Sequence, residues 1–215
     1  MTISAAVEYT ALIPAKPPHL GKQRLSAVPP AFRSALATAF ALDTIAAVRA
    51  CPVVREAWLV CSDPALGAAA ARLGVPTVED PEPASGDFNE LLRTVVAGLQ
   101  LAADAAILVV PADLPALTPA DLEEALRPWD GLRPAFVADA RGRGTTLYVG
   151  RAGDFDPCYG PDSREAHLAA GASELPVWLA SVQQDVDDAR DLDAAIGLGV
   201  GNQTRAVMTR LGLGR

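Results

Sequence analysis

Four stretches of the chain carry residues whose types and spacing could do chemistry. The first is Asp113 in ILVVPADLPAL at 107–117, where four apolar residues are followed at once by one carboxylate fenced by Pro111 and Pro115. A hard divalent cation takes oxygen ligands of this kind, and prolines restrict the backbone on both sides of the acid. An Asp that ends a strand and opens a turn has the same appearance, so both readings stand at this point. The second stretch is QDVDDARDLD at 184–193, in which Asp185 and Asp187 flank the apolar Val186. If 182–186 is a strand, the two acids share a face, and co-facing carboxylates repel unless a cation or an Arg lies between them. The same residues also suit a helix start, with Asp188 or Asp187 as cap and Asp191 favouring the dipole, and the two roles can coexist with Asp188 capping and the other two binding.

The third stretch is AKPPHLGKQRL at 15–25. It holds Lys16 and Lys22, the only lysines in the chain, with Arg24 beside them. Cations concentrated just after a first strand suit phosphate binding at the carboxyl edge of an α/β sheet, whereas an ordinary solvated loop would need no such clustering. Neither GxxxxGK[ST] nor GxGxxG occurs there, so side-chain cations rather than a glycine cradle would hold a nucleotide. The fourth stretch is Thr145 with YGPDSRE at 159–165. Gly160 ahead of a helix start at Asp162 or Ser163 leaves backbone N–H groups free for a phosphate or carboxylate. An Asp162/Glu165 capping box is the plainer reading.

These residues need a scaffold, and the chain supplies an alternating one. Residues 9–14, 57–61, 75–78 and 105–110 read as strands. Between and after them, 30–50, 64–73, 87–102 and a segment capped by Thr118 with Pro119 read as helices. In the first of these helices Phe32, Leu36 and Phe40 recur every four residues. The second half changes character. Strands at 135–139 and 145–149 join through a Gly142/Gly144 turn as a hairpin, followed by a short helix at 162–170, a last strand at 182–186 and a final helix at 189–198. GLGVG at 197–201 reads as a surface connection to the tail. The expected fold is a three-layer α/β/α single domain over 1–215 with a mainly parallel mixed sheet.

Bulk properties narrow the partners. A net charge of −8 and a pI near 4.7 argue against nucleic acid, whose phosphates call for a basic face. No apolar run reaches the roughly 18–20 residues of a membrane span, and residues 1–10 include Glu8 without a basic leader, so a cytoplasmic protein is expected. Cys51, Cys61 and Cys158 lack CxxC spacing and read as packing residues; His19 and His167 alone leave little for histidine chemistry.

Taken together, LIPAKPPHLGKQRL, FNELL, VVPADLPAL, RGRGTTL, YGPDSREAH and DVDDARDLDAAIGLGVGNQTR resemble, in order and over most of the chain, the phosphoenolpyruvate/2-phospho-L-lactate guanylyltransferases of coenzyme F-420 biosynthesis. The resemblance implies a nucleotide-diphospho-sugar-transferase-like fold, related to molybdopterin guanylyltransferases, and transfer of GMP from GTP to the phosphate of phosphoenolpyruvate or 2-phospho-L-lactate, with release of pyrophosphate. It implies that Asp113, Asp185 and Asp187 bind Mg²⁺ or Mn²⁺. Thr145, Gly160 and Ser163 would hold the acceptor, while Lys16, Lys22 and Arg24 serve the nucleotide phosphates and catalysis and Asn89 lies near the base or ribose. Gln23 departs from the pattern, which has Ser or Thr there. Monomer and homodimer both stay open. A molybdopterin or sugar-phosphate nucleotidyltransferase, or a silent nucleotide-binding module, would share these features.

Overall fold

Alternate residues of a buried strand serve opposite faces of a sheet, and the central strands divide that way. Leu108 and Val110 pack into one hydrophobic cluster with Ala11 and Ile13, while Ile107 and Val109 pack into another with Leu12. The computed structural model describes residues 7–19, 22, 25, 28–80 and 87–212. Gln23 and Arg24 therefore lie outside the described residues.

In chain order the elements are β1 (Tyr9–Pro14), α1 (Pro30–Ala50), β2 (Val54–Val60), α2 (Pro64–Arg72), β3 (Thr77–Val78), α3 (Phe88–Gly98), β4 (Ala106–Val109) and α4 (Pro119–Leu126). β5 (Ala135–Ala138) and β6 (Thr145–Arg151) follow, then α5 (Ser163–Ala169), β7 (Ser173–Glu174), α6 (Ala180–Gln183), α7 (Ala189–Leu198) and α8 (Asn202–Arg210). The sheet order is β3-β2-β1-β4-β6-β5-β7, and every pairing is parallel except the two made by β6. The expected mixed, mainly parallel sheet is present. Because β6 runs against β4, its first residue, Thr145, lies at the edge where β1 and β4 end. Ligands bind α/β sheets at that edge.

Helix α1 is apolar on two sides because it is covered on both. Ala41, Ile45 and Val48 face the sheet, and Leu36 and Phe40 join a third cluster with Val186, Leu192, Ala195, Val200 and Met208; Phe32 stays exposed. α3 covers the opposite face through Leu92, Val95 and Val96. Cys51 and Cys61 are core residues, as expected.

Three expectations are corrected. Residues 182–186 do not form a strand. Val182 is anchored in the sheet cluster and Val186 in the α1 cluster, so the chain makes the single turn of α6 and crosses between two cores. The Asp162/Glu165 capping box is absent: Asp162 is left-handed at φ 55° and its carboxylate instead accepts from Arg143 Nε and Nη2 at 2.9 and 2.6 Å. GLGVG is not a surface link to a tail, since Val200 is buried and α8 follows it. The α8 N-terminus is capped from a distance by Asp43 of α1, which accepts from Gln203 N at 2.9 Å and Thr204 N at 2.8 Å.

Candidate active site

Asp113 lies four residues beyond β4, and its backbone is fastened on both sides. Ala112 N donates to Pro14 O at 3.1 Å, extending the β1–β4 pairing, and Leu114 N donates to the buried Thr44 hydroxyl at 3.1 Å. The crossing chain meets it there, with Val186 N donating to Asp113 O at 3.1 Å. Val186 is buried, so its two neighbours project the other way and flank Asp113. The pair thus lies on the irregular connection between α6 and α7 rather than on a strand. Downstream, Asp188 caps α7 in a capping box with Asp191, whose Oδ2 also accepts from Asp187 N at 3.0 Å.

One carboxylate oxygen from each of Asp113, Asp185 and Asp187 lies within 4.8 Å of the other two. Oxygens bound at about 2.1 Å to an octahedral Mg²⁺ are about 3.0–4.2 Å apart, so side-chain rotations alone could bring the three acids onto one ion. A cation already occupies this position: Lys22 Nζ donates to Asp113 Oδ2 at 2.8 Å and to Asp187 Oδ1 at 3.5 Å. Its backbone is left-handed at φ 55°. Burial pulls the Lys22 pKa down, but the charges of Asp113, Asp187 and Asp185 and the Asp113 hydrogen bond outweigh it, and the pKa rises above its usual 10.5. Asp185 is pushed up to about 7, first by burial and then by Asp113, Asp187 and Asp139, with Lys22 opposing. An oxygen-rich site in which burial and neighbouring acids keep Asp185 from ionising readily suits a divalent metal.

Thr145 and Ser163, two of the residues expected to hold the acceptor, come together. Ser163 Oγ lies 3.1 Å from Thr145 Oγ1, and Thr145 Oγ1 lies 3.0 Å from His167 Nδ1. Gly160, at φ 149°, belongs to the loop between them. Asn89, expected near the base or ribose, makes its side-chain hydrogen bonds within the protein. Its amide donates to Tyr159 O at 2.8 Å and accepts from Tyr159 N at 2.7 Å, so it clamps the loop that carries Gly160. Lys16 is exposed just past β1 and forms no ion pair among the described residues, unlike Lys22.

Sequence reasoning passed over several residues. Asp139 directly follows β5, much as Asp113 follows β4, and it adds negative charge at Asp185. Arg141 donates to Asp188 and Asp191 at 2.8 Å, tying the hairpin turn to the α7 start. Tyr159 carries a hydroxyl buried without a hydrogen-bond partner among the described residues; burial, Tyr148 and Asp113 hold its pKa well above 10. Only the strand-end position of Asp139 was a usable signal in the sequence.

Residues 38–184 match the family of MobA-like NTP transferase domains. A protein from Desulfovibrio desulfuricans G20 assigned to the nucleotide-diphospho-sugar transferases superposes with a TM-score of 0.68 at 16% identity, covering 96% of each chain. Fold and site together define a nucleotidyltransferase. The chain is 40% identical to a phosphoenolpyruvate guanylyltransferase of Thermomonospora curvata, over 96% of this chain and 91% of that one. It is 41% identical to one of Streptomyces coelicolor, over 95% and 98%. The chain therefore belongs to the phosphoenolpyruvate guanylyltransferase family. No helix among the described residues is long and apolar enough to cross a membrane.

Proposed function

We propose that this protein transfers GMP from GTP to the phosphate of phosphoenolpyruvate. The observation that carries the reading is the convergence of Asp113, Asp185, Asp187 and Lys22 at the carboxyl edge of the sheet, in a chain about 40% identical to proteins named for that reaction. An acceptor phosphate oxygen attacks the α-phosphorus of GTP. The bond from that phosphorus to the bridging oxygen breaks, and pyrophosphate leaves with the electron pair. The acceptor is already an anion, so no general base or covalent nucleophile is needed, and positioning with charge neutralisation supplies the catalysis.

In this reading Asp113, Asp185 and Asp187 hold Mg²⁺, with Mn²⁺ as the alternative ion. Bound there, such an ion would supply positive charge and Lewis acidity to the phosphates. Lys22, released from the acids, turns to the departing pyrophosphate, with Lys16 and Arg24 completing the basic loop. Thr145, Gly160 and Ser163 hold the acceptor so that its oxygen lies in line. Asn89 serves through Tyr159 and the Gly160 loop. The names of the relatives favour phosphoenolpyruvate over 2-phospho-L-lactate, and the product would enter coenzyme F-420 biosynthesis.

Purified protein with GTP, Mg²⁺ and phosphoenolpyruvate should release pyrophosphate in proportion to acceptor, and Asp113→Asn should abolish the release. Competition between phosphoenolpyruvate and 2-phospho-L-lactate, with CTP and ATP as control nucleotides, fixes the substrates. Pyrophosphate release indifferent to both acceptors would overturn the assignment.

A further inference from the structure

His167 is fully buried, stacked on Phe136 and Tyr148 and T-shaped to Tyr159, with ring centroids 5.3, 5.0 and 5.4 Å away. Both of its nitrogens are engaged. Cys158 N lies 2.9 Å from Nε2, and a backbone N–H can only donate, so Nε2 carries the lone pair. In the neutral ring the proton is then on Nδ1, which donates to Thr145 Oγ1 at 3.0 Å. Burial lowers the His167 pKa to about 4, consistent with a neutral ring.

Counting protons on the hydroxyls gives the consequence. Thr145 and Ser163 carry two hydroxyl hydrogens, and their mutual bond at 3.1 Å uses one, whichever of them donates. Because His167 supplies its own proton to Thr145, the second hydroxyl hydrogen remains for an outside oxygen. The opposite tautomer would present a lone pair at Nδ1 and consume that hydrogen, leaving the pair nothing to offer an anion. The same ring fastens the loop through Cys158, next to the Tyr159 backbone that Asn89 clamps.

We propose that His167 is the positioning residue of the acceptor site: locked as the Nδ1–H tautomer, it makes the Thr145/Ser163 hydroxyl pair a net hydrogen-bond donor to an anionic oxygen of the acceptor. The inference rests on the proposed function for the identity of that acceptor. His167 touches neither the acceptor nor the nucleotide; it acts through Thr145 and the Cys158 amide.

Two substitutions separate its two ends. In His167→Asn the side-chain amide can still donate to Thr145 but no longer reaches Cys158. In His167→Gln the amide oxygen can accept from Cys158, but nothing then donates to Thr145, so the spare hydroxyl hydrogen survives without being aimed at the acceptor. A hydrogen bond to an anion contributes about 1.5–3 kcal/mol and only its aim is lost, so the phosphoenolpyruvate KM should rise up to about 10-fold in His167→Gln and clearly less in His167→Asn, with the GTP KM within about 2-fold in both. Thermal melting compares the stabilities of the two variants; a merely structural role would shift the phosphoenolpyruvate KM equally in both. Independently, long-range ¹H–¹⁵N correlation on histidine-labelled protein reads the tautomer, and with only His19 and His167 present either variant assigns the signals. The Nδ1–H form, kept on adding phosphoenolpyruvate, supports the proposal. An Nε2–H ring, or equal phosphoenolpyruvate KM values in the two variants, overturns it while leaving the guanylyltransferase reading intact. A wild-type protein without acceptor-dependent turnover removes that reading, and with it this inference.

Discussion

Replacing Asp185 by Asn removes a charge that the folded protein tolerates poorly, so loss of function should coincide with a gain in stability. The Asp185 carboxyl is pushed from 3.8 to about 7, chiefly by burial and then by Asp113 and Asp187. A raised carboxylate binds its proton more tightly in the folded chain than in the unfolded one, so stability falls as pH rises from the unfolded pKa through the folded one. At about 1.4 kcal/mol per pKa unit, the full penalty is about 4 kcal/mol at pH 8, where both states are ionised for the most part. It is about 2 kcal/mol at pH 5, where the folded side chain is neutral and only the unfolded one is ionised. Asp185 is half-buried, and solvent screening reduces these figures to about 2 and 1 kcal/mol. For a chain of this size 1 kcal/mol moves Tm by about 2–4 °C. Metal-free Asp185→Asn should therefore melt about 4–8 °C above wild type at pH 8 and about 2–4 °C above it at pH 5. Calorimetric scans in EDTA at the two pH values measure this, and repeats with Mg²⁺ should stabilise wild type but hardly the variant. A lower metal-free Tm for the variant at pH 8, or a gain independent of pH, would refute the electrostatic account.

Lys22→Met removes the ammonium that stands among the three acids. Mn²⁺ should bind the nucleotide-free variant more tightly than wild type, by titration calorimetry, while turnover falls about 100-fold or more for want of a cation at the phosphates. His167, lowered to about 4 by burial, stays neutral while the unfolded chain gains a proton below pH 6.5, so it withdraws stability between pH 6.5 and 4. Asp185 acts in the opposite direction over that range. His167→Asn should flatten the acid side of the Tm–pH profile relative to wild type. Asp43→Ala strips two backbone N–H groups at the α8 start of their acceptor and should cost about 1–2 kcal/mol in urea unfolding. Gly201→Ala should weaken the same cap, because a Cβ there would collide with the Asp43 carboxylate.

Several features were legible without tertiary structure because they are local. The α1 span, the Thr118–Pro119 helix start and the Asp188/Asp191 cap follow from propensity and from side chains reaching backbone two or three residues away. The parallel sheet follows from alternation of apolar strands with helices, and the placement of Asp113 at its carboxyl edge follows from that sheet. Where a residue's partner is remote in sequence, pattern reading failed. Residues 182–186 have strand composition but are drawn into two different cores, and Asp162 has capping composition but is claimed by Arg143.

The amino-acid sequence by itself determined the chemical inventory: isolated acids, two lysines in one loop and a pair of hydroxyls, placed at turns by their neighbours. Tertiary structure alone decided their combinations. Lys22, 91 residues from Asp113, stands against its carboxylate, and Asn89, 70 residues from Tyr159, holds its backbone. The tautomer of His167 is set by an amide and a hydroxyl from separate parts of the chain. Proton positions and charge balance depend on what lies within a few ångströms in space. That neighbourhood exists only after the sheet has brought its strand ends to one edge.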